Sequence, residues 1–78
     1  MSQNAPMKGD VYRHYKGNEY IIVCVAKDTE DGSLRVIYQS TDPEKPQIWD
    51  RSLRIFNSRV SVKSSHGIRE LIPRFSKV

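Results

Sequence analysis

Three short stretches of the chain bring cationic and aromatic side chains together: Tyr12-Arg13-His14-Tyr15-Lys16, Trp49-Asp50-Arg51 and Arg74-Phe75. A guanidinium offers a planar fork of N–H donors matched to phosphate or carboxylate, an ammonium adds a point charge, and an aromatic face stacks on a base or a cation. The mixture points to a ligand that is negatively charged, either a nucleotide-like small molecule or a nucleic acid. In a chain of this size the same rings also serve as core. Tyr20 and Tyr38 lie inside the best strand patterns and are expected to pack, whereas Trp49, bordered by Asp50 and Arg51, suits either packing or a ligand.

Catalytic and metal chemistry find less support. Cys24 is the one cysteine, and the two histidines, His14 and His66, are far apart and in no ligand spacing of the Cys-x-x-Cys or His-x-x-x-His kind. The glycines Gly9, Gly17, Gly32 and Gly67 are solitary, so no glycine-rich loop cradles phosphates, and no Gly-x-Ser-x-Gly elbow occurs. The expectation is a non-enzymatic protein with no catalytic residue, no metal and no cofactor.

The net charge of +4 is unevenly spread. From Arg51 to Val78 seven basic residues stand against Glu70 alone, a net of +6; from Asp28 to Asp50 six acids stand against Arg35 and Lys45, a net of −4. Such asymmetry marks either a polyanion-binding face or ordinary solvated charge.

These residues need elements to hold them. With 78 residues, 37% of them hydrophobic and 28% charged, the chain is long enough for one thin-cored domain and too apolar for disorder. Its longest apolar run, Tyr20 to Ala26, is far short of the ~20 residues of a membrane helix. Residues 1–7 lack periodicity and read as a flexible tail without a secretory signal, leaving residues 8–78 as the domain and the cytoplasm as the expected compartment. Alternation predicts a strand over Asp10 to Tyr15 and, after the Lys16-Gly17-Asn18 turn, a central strand over Glu19 to Ala26 that is apolar on both faces and buries Cys24. A third strand over Leu34 to Ser40 carries Leu34, Val36 and Tyr38 on one face, and Gln47 to Trp49 is a brief fourth. Asp50 is placed to cap one or two helical turns through Phe56; Val60 and Val62 alternate in a further strand, and Ile68 to Phe75 forms the last. Short strands with frequent turns are the pattern of a small antiparallel barrel or sandwich.

The string Gly9-Asp10-Val11-Tyr12-Arg13-His14-Tyr15-Lys16-Gly17, followed by Tyr20, resembles the opening of the bacterial family catalogued as domain of unknown function 1653. The similarity continues through Val36-Ile37-Tyr38, Trp49 with Arg51, Phe56 and the closing Pro73-Arg74-Phe75, nearly the whole chain. It departs at Lys27-Asp28-Thr29-Glu30, where the family usually has a His-Ser-Glu-Thr-like loop, and at Asp50 and Ser52, within its Trp-Val-Arg-Pro. The resemblance implies an SH3-like β-barrel of about five strands with one short helical turn, and it assigns no activity. The matching positions Arg13, His14, Tyr15, Lys16, Trp49, Arg51 and Arg74 are polar or amphipathic, types that a thin core does not select for packing alone, and they form the expected ligand site. A different class of function, a protein–protein interaction or regulatory accessory module, accounts for the same residues if the acidic middle or a sheet edge meets a partner chain or, as a homo-oligomer, a second copy.

Overall fold

The β-branched and aromatic runs form strands throughout residues 5–78, the part of the chain that the computed structural model describes. In chain order these are β1 (Val11–His14), β2 (Glu19–Lys27), β3 (Leu34–Ser40), β4 (Ile48–Ser52), the one-turn helix α1 (Leu53–Phe56), β5 (Arg59–Lys63), β6 (Arg69–Pro73) and β7 (Phe75–Lys77). All pairings are antiparallel: one sheet runs β4-β3-β2-β1-β7 and a second consists of β5 and β6. The all-β class and the single helical turn agree with expectation. The strands number seven rather than about five, and no pairing joins β4 to β7, so the described residues form two sheets without a closed barrel. The one helix is too short to cross a membrane.

Alternation decides which side chains meet. On the inner face of the large sheet stand Tyr12 and His14 of β1, Tyr20 and Ile22 of β2, Val36 and Tyr38 of β3, Trp49 and Arg51 of β4 and Phe75 of β7, as the registers Tyr12↔Tyr20, Ile22↔Tyr38, Tyr38↔Trp49, Val36↔Arg51 and His14↔Phe75 require. Helix α1 lays Leu53 and Phe56 against this face, closing a core of Ile22, Val36, Tyr38, Leu53, Phe56 and Phe75. Phe56 and Phe75 stack with centroids 4.1 Å apart and planes 8° from parallel.

Several boundaries differ from the sequence reading. Strand β4 runs on through Asp50 and Arg51, and the helix cap is Ser52, whose Oγ accepts the Ile55 amide at 3.2 Å; Asp50 instead pairs with Arg35 on the outer face. The expected last strand is two, β6 and β7, which change sheets at Arg74. The central strand is not buried on both faces, and Cys24 is exposed. The cause is a bulge: pairing slips between Ile22 and Cys24, so Val25 takes the inward place opposite Val36 while Cys24 turns outward opposite Ile37. Of the expected tail, residues 1–4 lie outside the described residues; Pro6 is buried and the Met7 amide donates to the Asp10 carboxylate at 3.0 Å.

The β5–β6 hairpin has little support beyond its own pairing, with no extensive contact to another element. The radius of gyration, 13.8 Å, accordingly exceeds the about 11.5 Å of a compact chain of this length.

Candidate functional site

The inner face of the large sheet is core at one end and a cleft at the other. At the open end a cavity of about 350 Å³ is lined by His14, Tyr15, Lys16, Asn18, Tyr20, Tyr38, Trp49, Arg51, Arg74 and Phe75. Six of the seven expected site residues converge there: His14, Tyr15, Lys16, Trp49, Arg51 and Arg74. Arg13 does not. Successive strand residues face opposite sides, so Arg13 points away from His14 and pairs on the outer face with Glu19, its register partner, at 2.6 Å.

Each cation is set by a different device. Arg51 reaches the cleft from β4, where its Nε donates to the Tyr38 hydroxyl at 3.3 Å and its guanidinium lies 5.8 Å from the centroid of the Phe75 ring. Arg74 sits at the sheet change between β6 and β7, anchored by its amide to the Ser58 carbonyl and by its Nε to Ser58 Oγ, both at 3.0 Å. In each case the Nε is engaged and the Nη groups have no protein acceptor among the described residues, which leaves both forks free to take a bidentate anion. Lys16 lies in the β1–β2 turn, which closes through Gly17 at φ 109°, a backbone region that suits glycine alone.

The floor is aromatic. Tyr20 meets Tyr38 edge-to-face at 5.2 Å and Trp49 at 5.4 Å, and the Trp49 indole lies nearly parallel to Tyr38, 25° between planes. His14 packs against Phe75 at 4.9 Å and Tyr15 at 4.5 Å, and its Nδ1 accepts the Lys16 amide at 3.2 Å, which places the proton of the neutral ring on Nε2. Burial, then the positive charges of Arg51, Lys16 and Arg74, hold its pKa below the ordinary 6.5.

No carboxylate lines the cleft, and among the described residues none of Lys16, Arg51 and Arg74 is ion-paired. Tyr20 and Tyr38, which also line the cleft, were assigned to packing for a physical reason. Tyr38 is 4% exposed and is both core and floor, and Tyr20 packs against the core while its ring edges the cavity, so their assignment to the core was half of their role. The alternation that places Tyr20 and Tyr38 on the inner face, read with Trp49 and Arg51 on that face too, is the signal that finds them.

No curated protein and no solved structure matches the chain. Residues 10–77, which include every side chain of the cleft, match the family described as a protein of unknown function, DUF1653, and the chain belongs to that family.

Proposed function

We propose that the protein is a non-enzymatic binding module whose cleft seats a small anion, a phosphate-bearing molecule of nucleotide-like kind in preference to a nucleic-acid strand. One observation carries the reading: Lys16, Arg51 and Arg74 converge on one concave, aromatic-walled cleft without a carboxylate to neutralise them. Three like charges held together repel, and in a half-shielded site that repulsion is relieved by a bound anion. The absence of a serine, cysteine or carboxylate from the lining supports binding over catalysis, since neither a nucleophile nor a carboxylate base faces the space. The concavity supports a compact ligand, because a strand needs cations spaced along a track, and Arg59, Lys63 and Arg69 lie apart on the β5–β6 hairpin. A bacterial cytoplasmic setting is part of the same proposal.

Titration of the protein with inorganic phosphate and with ribose 5-phosphate at low salt, followed by amide chemical shifts, tests it. Shifts are expected to concentrate at His14 to Lys16, Arg51 and Arg74, with weak dependence on salt. Shifts spread over the hairpin, with a duplex-DNA affinity falling by about 0.9 log units per contact for each log unit of salt, support a strand instead. No binding to phosphates, nucleotides, DNA or RNA, with a defined protein partner recovered, returns the interaction-module reading.

A further inference from the structure

A second cavity, of about 470 Å³, adjoins the cationic cleft and shares Asn18, Tyr20 and Trp49 with it. The Tyr20–Trp49 edge-to-face pair is the divide between the two. Beyond it the chemistry reverses. Where the first cleft has three cations and no carboxylate, the second is lined by Glu19 and Asp42, with Lys45 as its one cation and Ser40, Thr41 and Gln47 as neutral polar groups.

The second cavity is also braced. The Thr41 hydroxyl and amide both donate to the Glu19 carbonyl, at 3.3 and 3.4 Å; the Ser40 amide donates to the Gln47 carbonyl at 2.9 Å; and Asp42 Oδ1 accepts the Glu44 amide at 2.9 Å. The Thr41 bonds tie the β3–β4 loop back to β2 and the other two hold the loop to itself, so a ligand meets a wall already in place and loses less entropy in ordering it. One acceptor is not used up: the Glu19 carboxylate is turned to Arg13 on the outer face, but Asp42 Oδ2 is without a protein donor among the described residues.

We propose that the two cavities are one bipartite site for a nucleoside monophosphate, with the phosphate between Lys16, Arg51 and Arg74, the base over Trp49, and its amino edge turned to Asp42. The inference rests on the anion reading of the first cleft. A phosphate matches the cations and a planar heterocycle matches the half-exposed indole, whose neighbour Tyr38 already lies nearly parallel to it. Carboxylate oxygens require donors. Guanine supplies two adjacent ones, the ring N–H and the exocyclic amine, adenine supplies one amine, and uracil sets carbonyl oxygens on either side of its N–H. The expected order of affinity is GMP, then AMP, then UMP, with ribose 5-phosphate and inorganic phosphate confined to the first cleft.

Calorimetry of the full chain with these five probes tests the inference, with the indole N–H signal of Trp49, the only tryptophan, as a second readout. GMP is expected to bind roughly fivefold or more tighter than ribose 5-phosphate, the lower end of what one base–aromatic stack supplies, and to shift the indole signal, which inorganic phosphate leaves in place. Asp42→Asn, an isosteric change at an exposed position, is expected to reduce the preference for GMP over UMP and to leave ribose 5-phosphate affinity unchanged. A single-stranded guanine oligonucleotide that binds more tightly than GMP, with a steep salt dependence, identifies the nucleotide as part of a strand rather than free and overturns the monophosphate assignment. Equal affinity, within about twofold, for GMP, UMP and ribose 5-phosphate overturns the bipartite site and leaves the anion reading standing; no binding of any probe overturns both.

Discussion

The cationic cleft and the β5–β6 hairpin are the two basic regions of the molecule, and they use charge in opposite ways. In the cleft, Arg51 and Arg74 are half-buried, each braced by a hydrogen bond through Nε and backed by the ring of Phe75 or by Ser58. On the hairpin, Arg59, Lys63 and Arg69 are exposed, and their strands pair with each other and with little else. The sequence presents all five within one basic third of the chain. The fold separates them, because the sheet change at Arg74 returns β7 to the large sheet and leaves β5 and β6 outside it. Net charge along a sequence therefore does not report which cations converge; the fold does.

The sharpest test of that support is Phe75, which belongs to the core and to the cleft floor at once. Truncation to Ala removes a ring stacked on Phe56, and is expected to cost about 3–5 kcal/mol of unfolding free energy by chemical denaturation. Leu71→Ala on the hairpin, 64% exposed, should change stability by no more than ~0.5 kcal/mol. Comparable losses at the two positions erase the distinction between a buttressed and a free-standing region.

Hydrogen exchange addresses the backbone directly. A two-stranded hairpin without a packed face is marginal in water, so its bonds open without global unfolding. The β5–β6 amides are expected to exchange roughly a hundredfold or more faster than those joining β2 and β3, on the order of 3 kcal/mol in opening free energy. Equal protection means that the hairpin is covered in solution by something else.

The next effect separates the two sets of arginines. Arg51→Ala removes a fork aimed into the cleft and is expected to weaken phosphate binding by about 1.5–3 kcal/mol, the range of a hydrogen bond to a charged group. Arg59→Ala on the hairpin removes the same formal charge and should leave affinity within about twofold. If both variants lose binding equally, the ligand responds to total charge rather than to the cleft.

What the sequence discloses and what it hides follow the same division. Residue types were a good guide to which side chains converge: six of seven chosen positions meet in one cavity. Arg13 was chosen by residue type against the period-two rule of its own strand, which sets it on the face opposite His14. Cys24 was beyond that rule, since a single-residue bulge leaves no mark in composition and reverses every side chain after it. The split of the last strand was hidden as well. Ile68 to Phe75 reads as one run, and only the partners Ser58 and Tyr15, distant in sequence, fix Arg74 as the point where the chain changes sheets.

The smallest expected effect concerns His14, whose charge the cleft suppresses. Burial and the three neighbouring cations hold its folded pKa below 6.5, so between that value and 6.5 the unfolded chain binds more protons than the folded one. Stability is therefore lost as the pH falls through this window and is kept above it. Affinity runs the other way. Protonation makes His14 a fourth cation in the cleft, where a bound anion favours the charged form, so binding should tighten severalfold between pH 7.5 and 5.5. A phosphate monoester gains its own proton near pH ~6 and confuses the measurement, so the probe is sulfate, whose charge is constant over this range. His14→Gln keeps a hydrogen-bonding side chain and cannot titrate. The expected result is sulfate affinity that rises on acidification in the native protein and stays flat in the variant, with the two alike at pH 7.5. His66, exposed on the hairpin turn, is present in both and cancels. An identical rise in both proteins assigns the pH dependence to the surface at large and removes His14 from the site.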